Sequence, residues 1–218
     1  MAHKTKVIYI IITILIILLF VLSYMFFKRV GLNDVNEKSI EKSTHYSPEI
    51  GSSDSENLVI EFMDFKCPYC KKFELSSYEK LRKNYISKGK AKFRVVNSSI
   101  LGKDSIKASR AAHALNIYYP KKYWQFHHKL FKMQPNHENE WITTKLIDTE
   151  LEKLDIPESK LKLIKKDYKT EGSKSWNLAK KDKELYEKYN NEYVPSVYVN
   201  GKFIKDPYSF KEIEKYMN

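Results

Sequence analysis

The 218 residues are 42% hydrophobic and 14% aromatic, enough apolar surface to bury one core of moderate size, which excludes a disordered chain. The net charge of +12 comes almost wholly from lysine interleaved with acids, as in KKDKELYEKY. That pattern marks solvated helix faces, and with no nucleic-acid motif beside it a nucleic-acid partner is not expected, although the charge suits an anionic membrane surface.

After a tail at residues 1–6, the chain runs without a charge from Val7 to Phe27, VIYIIITILIILLFVLSYMFF. About 20 apolar residues match the hydrocarbon thickness of a bilayer and predict a membrane-spanning anchor. A secretory signal peptide has a shorter apolar core, roughly 7 to 15 residues, and ends in an A-x-A site missing here, so the anchor is predicted to stay uncleaved. Lys4 and Lys6 on one side nearly balance Lys28 and Arg29 on the other, so charge alone leaves the orientation open. Residues 28–44 are polar and aperiodic and read as a linker, with the folded domain beginning near residue 45 and a short ordered edge at Tyr46–Ile50.

LVIEFMDF, Leu58 to Phe65, is apolar on both faces and predicts a central strand, with one acid, Glu61, in its middle. From Cys67 the period lengthens to about 3.6, with Cys70, Phe73, Ser77, Leu81 and Tyr85 on one stripe, and Pro68 fits the first turn of the helix this predicts. A second strand, Ala91 to Asn97, completes a βαβ unit with parallel pairing. No strand pattern follows until residue 172. Helical faces appear instead, at Ala108, Ala111, Ala112 and Leu115, then at Tyr123, Phe126, His127 and Leu130, at Ile147 and Leu151, and at Leu161, Ile164 and Tyr168. Trp124, Phe126, Phe131 and Trp141 are expected in the core of that block. A long helix over Ser173–Asn191, a strand–Asn-Gly turn–strand in VPSVYVNGKFI, and a short helix over Tyr208–Tyr216 close the chain. The order is that of an α/β domain formed by residues 45–99 and 173–218, interrupted by a helical insertion at 100–172.

Both cysteines lie in FKCPYCKKFE. A structural zinc site needs about four ligands, and no second C-x-x-C or H-x-x-x-H is present, so no metal is expected there. A purely structural bridge closing so small a loop would constrain the unfolded chain little. A redox dithiol explains the spacing better: Cys67 at a helix start meets free backbone N–H groups that favour a thiolate, and Cys70, one turn on, faces inward to resolve a mixed disulfide. Lys66 is expected to add a neighbouring, exposed positive charge. Glu61 has two readings, a proton-exchange partner for Cys70 or a lysine-paired acid at a sheet edge. Asp64 reads as a surface or capping acid, His127 as a hydrogen-bonded core histidine, and His113, His128 and His137 as having no spaced partners.

With EFMDFKCPYCKKFE, VPSVYVNGK and the helical block between them, residues 45–218 resemble the DsbA family of thioredoxin-fold oxidoreductases, in layout its membrane-anchored members from Gram-positive bacteria. The resemblance implies a thioredoxin-like α/β fold with an inserted helical subdomain, preceded by an N-terminal transmembrane helix. It implies that Cys67 is the exposed nucleophile, Cys70 its buried partner, Glu61 the acid beneath them and Pro195 a cis-proline, with Val194, Pro68 and Tyr69 facing the substrate. Tyr69 stands where strong oxidants of the family often carry histidine, and residues 190–193 replace a glycine-containing lead-in to the proline, which leaves the redox potential open. The expected function is an extracytoplasmic thiol-disulfide oxidoreductase that introduces disulfides into secreted or surface proteins, in the compartment where disulfides persist. Its N-terminus would lie in the cytoplasm, and a quinone-linked membrane partner of the DsbB type would reoxidise it, with no cofactor of its own. The alternatives are a membrane-tethered reductase or isomerase, and a non-catalytic binding or chaperone module.

Overall fold

The computed structural model describes the backbone of residues 2–30, 37–137 and 139–218, with side chains throughout except at 2–5, 7–11, 26–30 and 37. Helix α1 (Ala2–Val30) covers the apolar stretch. Among the described residues no helix is long and apolar enough to cross a membrane, and both ends of the span expected at Val7–Phe27 lie outside the described side chains.

A five-stranded sheet of order β1-β3-β2-β4-β5 carries the fold. Its strands are β1 (Glu49–Gly51), β2 (Leu58–Met63), β3 (Lys92–Asn97), β4 (Ser196–Val199) and β5 (Lys202–Ile204). The β2–β3 pair is parallel, as the βαβ reading requires, and the other pairs are antiparallel. Every residue of β2 is buried, which is why its sequence shows no alternation. Glu61 pairs with Val95 on one side and Val197 on the other, so it sits mid-sheet and not at an edge. Asn200 and Gly201 both adopt positive φ, 48° and 77°, the conformation that lets a two-residue turn join β4 to β5 without splaying them.

The helix after Cys67 is not uniform. It comprises α3 (Pro68–Phe73), one π-helical turn (Glu74–Tyr78) and α4 (Glu79–Asn84). The wider turn shifts the phase of the buried stripe, so Tyr78 joins Cys70, Phe73, Ser77 and Leu81 inside, while Tyr85 stays half-buried.

Residues 37–43, expected as linker, instead form helix α2 (Glu37–Ser43), which corrects the domain boundary. Seven residues are too few for periodicity to show, and tertiary contacts hold them. Ile40 is fully buried, and Arg94 on β3 donates from Nη1 to the Glu41 carbonyl and the Thr44 hydroxyl, at 2.9 and 3.0 Å.

Between β3 and β4 run α5 (Lys103–Tyr118), α6 (Tyr123–Met133), α7 (Thr144–Glu152), α8 (Glu158–Lys169) and α9 (Lys174–Lys188), and α10 (Phe210–Glu214) closes the chain. The side chains of Thr143 and Ser173 cap α7 and α9 by accepting from the N–H groups of Leu146 and Trp176. Phe126 and Phe131 are core residues as expected. Trp124 and Trp141 are only half-buried, and Trp124 lies against Tyr78 and Phe93, where α6 meets the sheet and its first helix. Substituting Ile40→Ala is expected to lower the unfolding free energy of the full chain by about 2–4 kcal/mol in urea titrations; an unmoved midpoint would place α2 outside the cooperative unit.

Candidate active site

β2 delivers the chain to a turn built on Asp64. One carboxylate oxygen accepts from the Lys66 N–H at 2.8 Å and the other from the Leu101 N–H at 3.0 Å, while the Asp64 carbonyl accepts from the Cys67 N–H at 3.0 Å. Asp64 is thus a buried turn-forming acid, neither at the surface nor a cap of α3, whose N-cap residue is Cys67. The turn leaves Cys67 extended at the N-cap of α3 (φ −74°, ψ 118°) with Pro68 next, where a missing N–H costs nothing.

The two thiols are free and occupy different surroundings. Cys70 is fully buried, and burial, then its hydrogen bond to Cys67, then the charges of Cys67 and Glu61 push its pKa well up. The pKa of Cys67 is lowered, first by the Cys70 thiol hydrogen-bonding to its sulfur, against an opposing effect of burial, and then by the backbone N–H groups of Cys70 and Tyr69 at the helix start. Lys66 does not contribute as expected. Its ammonium lies 3.0 Å from Asp104 on α5, and both side chains are buried, so the charge is spent on tying the dithiol turn to the insertion.

Cys67 was expected to be exposed, yet only 4% of it is accessible. The loop before β4 covers it: the Val194–Pro195 bond is cis, and the Cys67 sulfhydryl donates to the Val194 carbonyl at 3.3 Å. Tyr69, Val194 and Pro195 line a depression of about 350 Å³ together with Tyr193, Lys205, Asp206, Pro207 and Tyr208. Pro68 is exposed but outside that lining set. Tyr208, read from sequence only as a helix start, is a site residue. Its hydroxyl donates to the Tyr69 carbonyl at 3.2 Å, and burial, then Cys70 and Cys67, push its phenol pKa up, which keeps it a neutral donor. Nothing local in the sequence marks it, since β5 and the turn after it bring it there.

Glu61 is 1% exposed with Oε1 lacking any hydrogen-bond partner, which rules out the lysine-paired edge reading. Burial first, then the charges of Glu74 and Cys67, raise its pKa well above the usual carboxylate value, which favours its protonated form. Such a group can give or take a proton in the electrostatic field of the thiols.

Two histidines expected to be partnerless have partners. His113 Nε2 lies 2.8 Å from Asp182 on α9, which also accepts from the Tyr46 hydroxyl and the Asn97 N–H, at 2.7 and 2.8 Å. His128 Nδ1 contacts Glu74, the residue one helical turn beyond Cys70, and Nε2 of the fully buried His127 stands 3.5 Å from the other oxygen of that carboxylate. Burial alone would raise the pKa of Glu74, but the two imidazoles hold it down to about 2; burial lowers that of His127 against the pull of Glu74. His137 is exposed.

The thioredoxin family model matches residues 43–218. Disulfide bond formation protein D of Bacillus subtilis is 35% identical over 170 residues, 77% of this chain and 74% of that protein. Its probable counterpart in Bacillus cereus is 31% identical over 175 residues, covering 78% of each chain. Among solved structures, oxidised BdbD from Bacillus subtilis superposes with a TM-score of 0.73 at 33% identity, over 79% of this chain and 91% of that one. The thiol-disulfide exchange protein α-DsbA2 from Wolbachia pipientis shares the fold, with a TM-score of 0.65 at 21% identity over 82% and 93% of the two chains.

Because the Cys70 thiol is the largest stabiliser of the Cys67 thiolate, Cys70→Ala is expected to move the pH profile of Cys67 alkylation up toward that of an ordinary thiol. Cys70→Ser keeps a hydroxyl donor and is expected to retain most of the depression; identical profiles for the two variants would assign the stabilisation to the backbone N–H groups.

Proposed function

This chain belongs to the thioredoxin family, among the protein thiol-disulfide oxidoreductases similar to disulfide bond formation protein D, and from that premise we propose that it oxidises secreted or surface proteins from an extracytoplasmic position. The observation that carries the reading is the placement of two free thiols one helical turn apart, Cys67 at the N-cap of α3 beside the Val194 carbonyl and Cys70 fully buried, surroundings that lower the first pKa and raise the second. A depressed pKa stabilises the reduced form of the pair, and so makes its disulfide the stronger oxidant.

The reaction runs in two exchanges. A substrate thiolate attacks Sγ of Cys67 in the Cys67–Cys70 disulfide, forming a mixed disulfide and releasing the Cys70 sulfur, whose raised pKa makes it take a proton at once; Glu61, neutral and buried, supplies it. The second substrate thiol then attacks the mixed disulfide, and Cys67 departs as a stabilised anion, a good leaving group because of its low pKa. Two substrate thiols have become a disulfide, and the enzyme holds the two electrons as a dithiol. An external acceptor must remove them, for which a quinone-linked membrane oxidoreductase of the DsbB type is the proposed partner. Substrate lies in the depression beside Tyr69, Val194 and Pro195, and a Cys67 thiolate, which no longer donates, leaves the Val194 carbonyl free to accept a peptide N–H. The uncharged run Val7–Phe27 supports a single-pass anchor, and disulfide-forming chemistry, which suits the oxidising side of a membrane, supports an N-terminus in the cytoplasm.

Cys67→Ser is expected to abolish oxidation of a reduced substrate protein and Cys70→Ser to accumulate substrate-linked mixed disulfides, both read on non-reducing gels; client folding that survives loss of both thiols would favour a chaperone module. Glu61→Gln is expected to slow turnover by roughly 10²-fold while leaving the substrate-linked yield of the Cys70→Ser background unchanged. Equilibrated with glutathione, the Cys67/Cys70 couple is expected at or above about −180 mV, and a value near −270 mV would make the protein a reductase. Protease added to intact cells is expected to digest the domain, and protection would overturn the topology.

A further inference from the structure

Glu74, His127 and His128 form a cluster that disulfide exchange leaves unused, and we propose that these three side chains bind a zinc ion. Each offers one ligand atom, and the three atoms lie within 4.8 Å of one another. Tetrahedral zinc with bonds of about 2.0–2.2 Å sets its ligand atoms roughly 3.3 Å apart. The gap between Glu74 Oε2 and His127 Nε2 is 3.5 Å, already close to that, and Oε1 of the same carboxylate touches His128 Nδ1. Adjacent positions on a helix diverge by about 100°. The two rings nonetheless converge on Glu74, because His127 presents Nε2 and His128 presents Nδ1. The adjustment that remains falls on His128, whose side chain is 28% exposed, while His127 and Glu74 are held in the core.

A second observation points to a ligand. Glu74 Oε2 and His127 Nε2 stand 3.5 Å apart, outside hydrogen-bond geometry, and these atoms and His127 Nδ1 have no hydrogen-bond partner in the core. Orphaned polar atoms are rare in a folded interior, and a pair of them facing each other is what a bound cation would satisfy. Two imidazoles and one carboxylate match the three-ligand set of zinc sites that keep a fourth position open, and imidazole favours zinc over magnesium or calcium. His128 also lines a cleft of about 390 Å³ with Lys129, Lys132, Lys153 and Glu150, which opens the cluster toward solvent.

Thiolates are themselves zinc ligands, so the test uses the full chain in detergent micelles with Cys67 and Cys70 oxidised to their disulfide. Titration with zinc chloride against a chromophoric chelator is expected to give uptake of one ion per chain, and the zinc absorption edge to show nitrogen and oxygen neighbours without sulfur. His128→Ala, at a partly exposed position, and Glu74→Gln are each expected to weaken uptake by more than about 100-fold, the upper range for loss of a group that merely supports a ligand. No equimolar uptake, sulfur in the coordination sphere, or an affinity in His128→Ala within a few-fold of the parent would overturn the assignment.

Discussion

An activated sulfur at Cys67 beside a buried thiol at Cys70 requires one sulfur at the N-terminal end of a helix and the other a single turn deeper, inside the core. The rest of the structure supplies that arrangement. β2, buried on both faces, brings the chain out of the middle of the sheet; the Asp64 turn uses up the Cys67 N–H and leaves those of Tyr69 and Cys70 for the sulfur. These different surroundings lower one pKa and raise the other, which is the asymmetry that directional thiol exchange needs.

Buried acids act as the joints of this molecule. Asp64 joins the dithiol turn to the segment after β3, Asp104 holds Lys66 and so fixes α5 to the same turn, and Asp182 gathers α5, the end of β3 and the segment before β1. Each accepts from several donors, so its buried oxygens have partners. Glu61 lacks such donors at Oε1, and the difference in surroundings explains its raised pKa.

The elements that chain periodicity sets were legible: the strand at Leu58, the helix at Cys67, the parallel β2–β3 pair, the Asn-Gly turn and the helical insertion all follow from spacing that local sterics impose. So was the placement of Cys67, Cys70 and Glu61, because a paired thiol at a strand-to-helix junction and an acid in an apolar strand are unusual in one dimension. What stayed hidden has a common origin. α2 is held by Arg94, some fifty positions away, the π turn shifts the buried stripe onto Tyr78, and Lys66 turns from the sulfur because Asp104 lies within reach.

By itself the sequence determined the thioredoxin-like fold class and the placing of two sulfurs one turn apart at a strand-to-helix junction, since hydrophobic period, proline position and cysteine spacing are local properties of the chain. Only the tertiary structure decided how covered Cys67 is, that Tyr208 shares its site, and that Glu74 meets His127 and His128. Those outcomes depend on contacts between residues more than fifty positions apart, whose meeting is fixed by packing of whole elements and leaves no mark on either stretch of sequence alone.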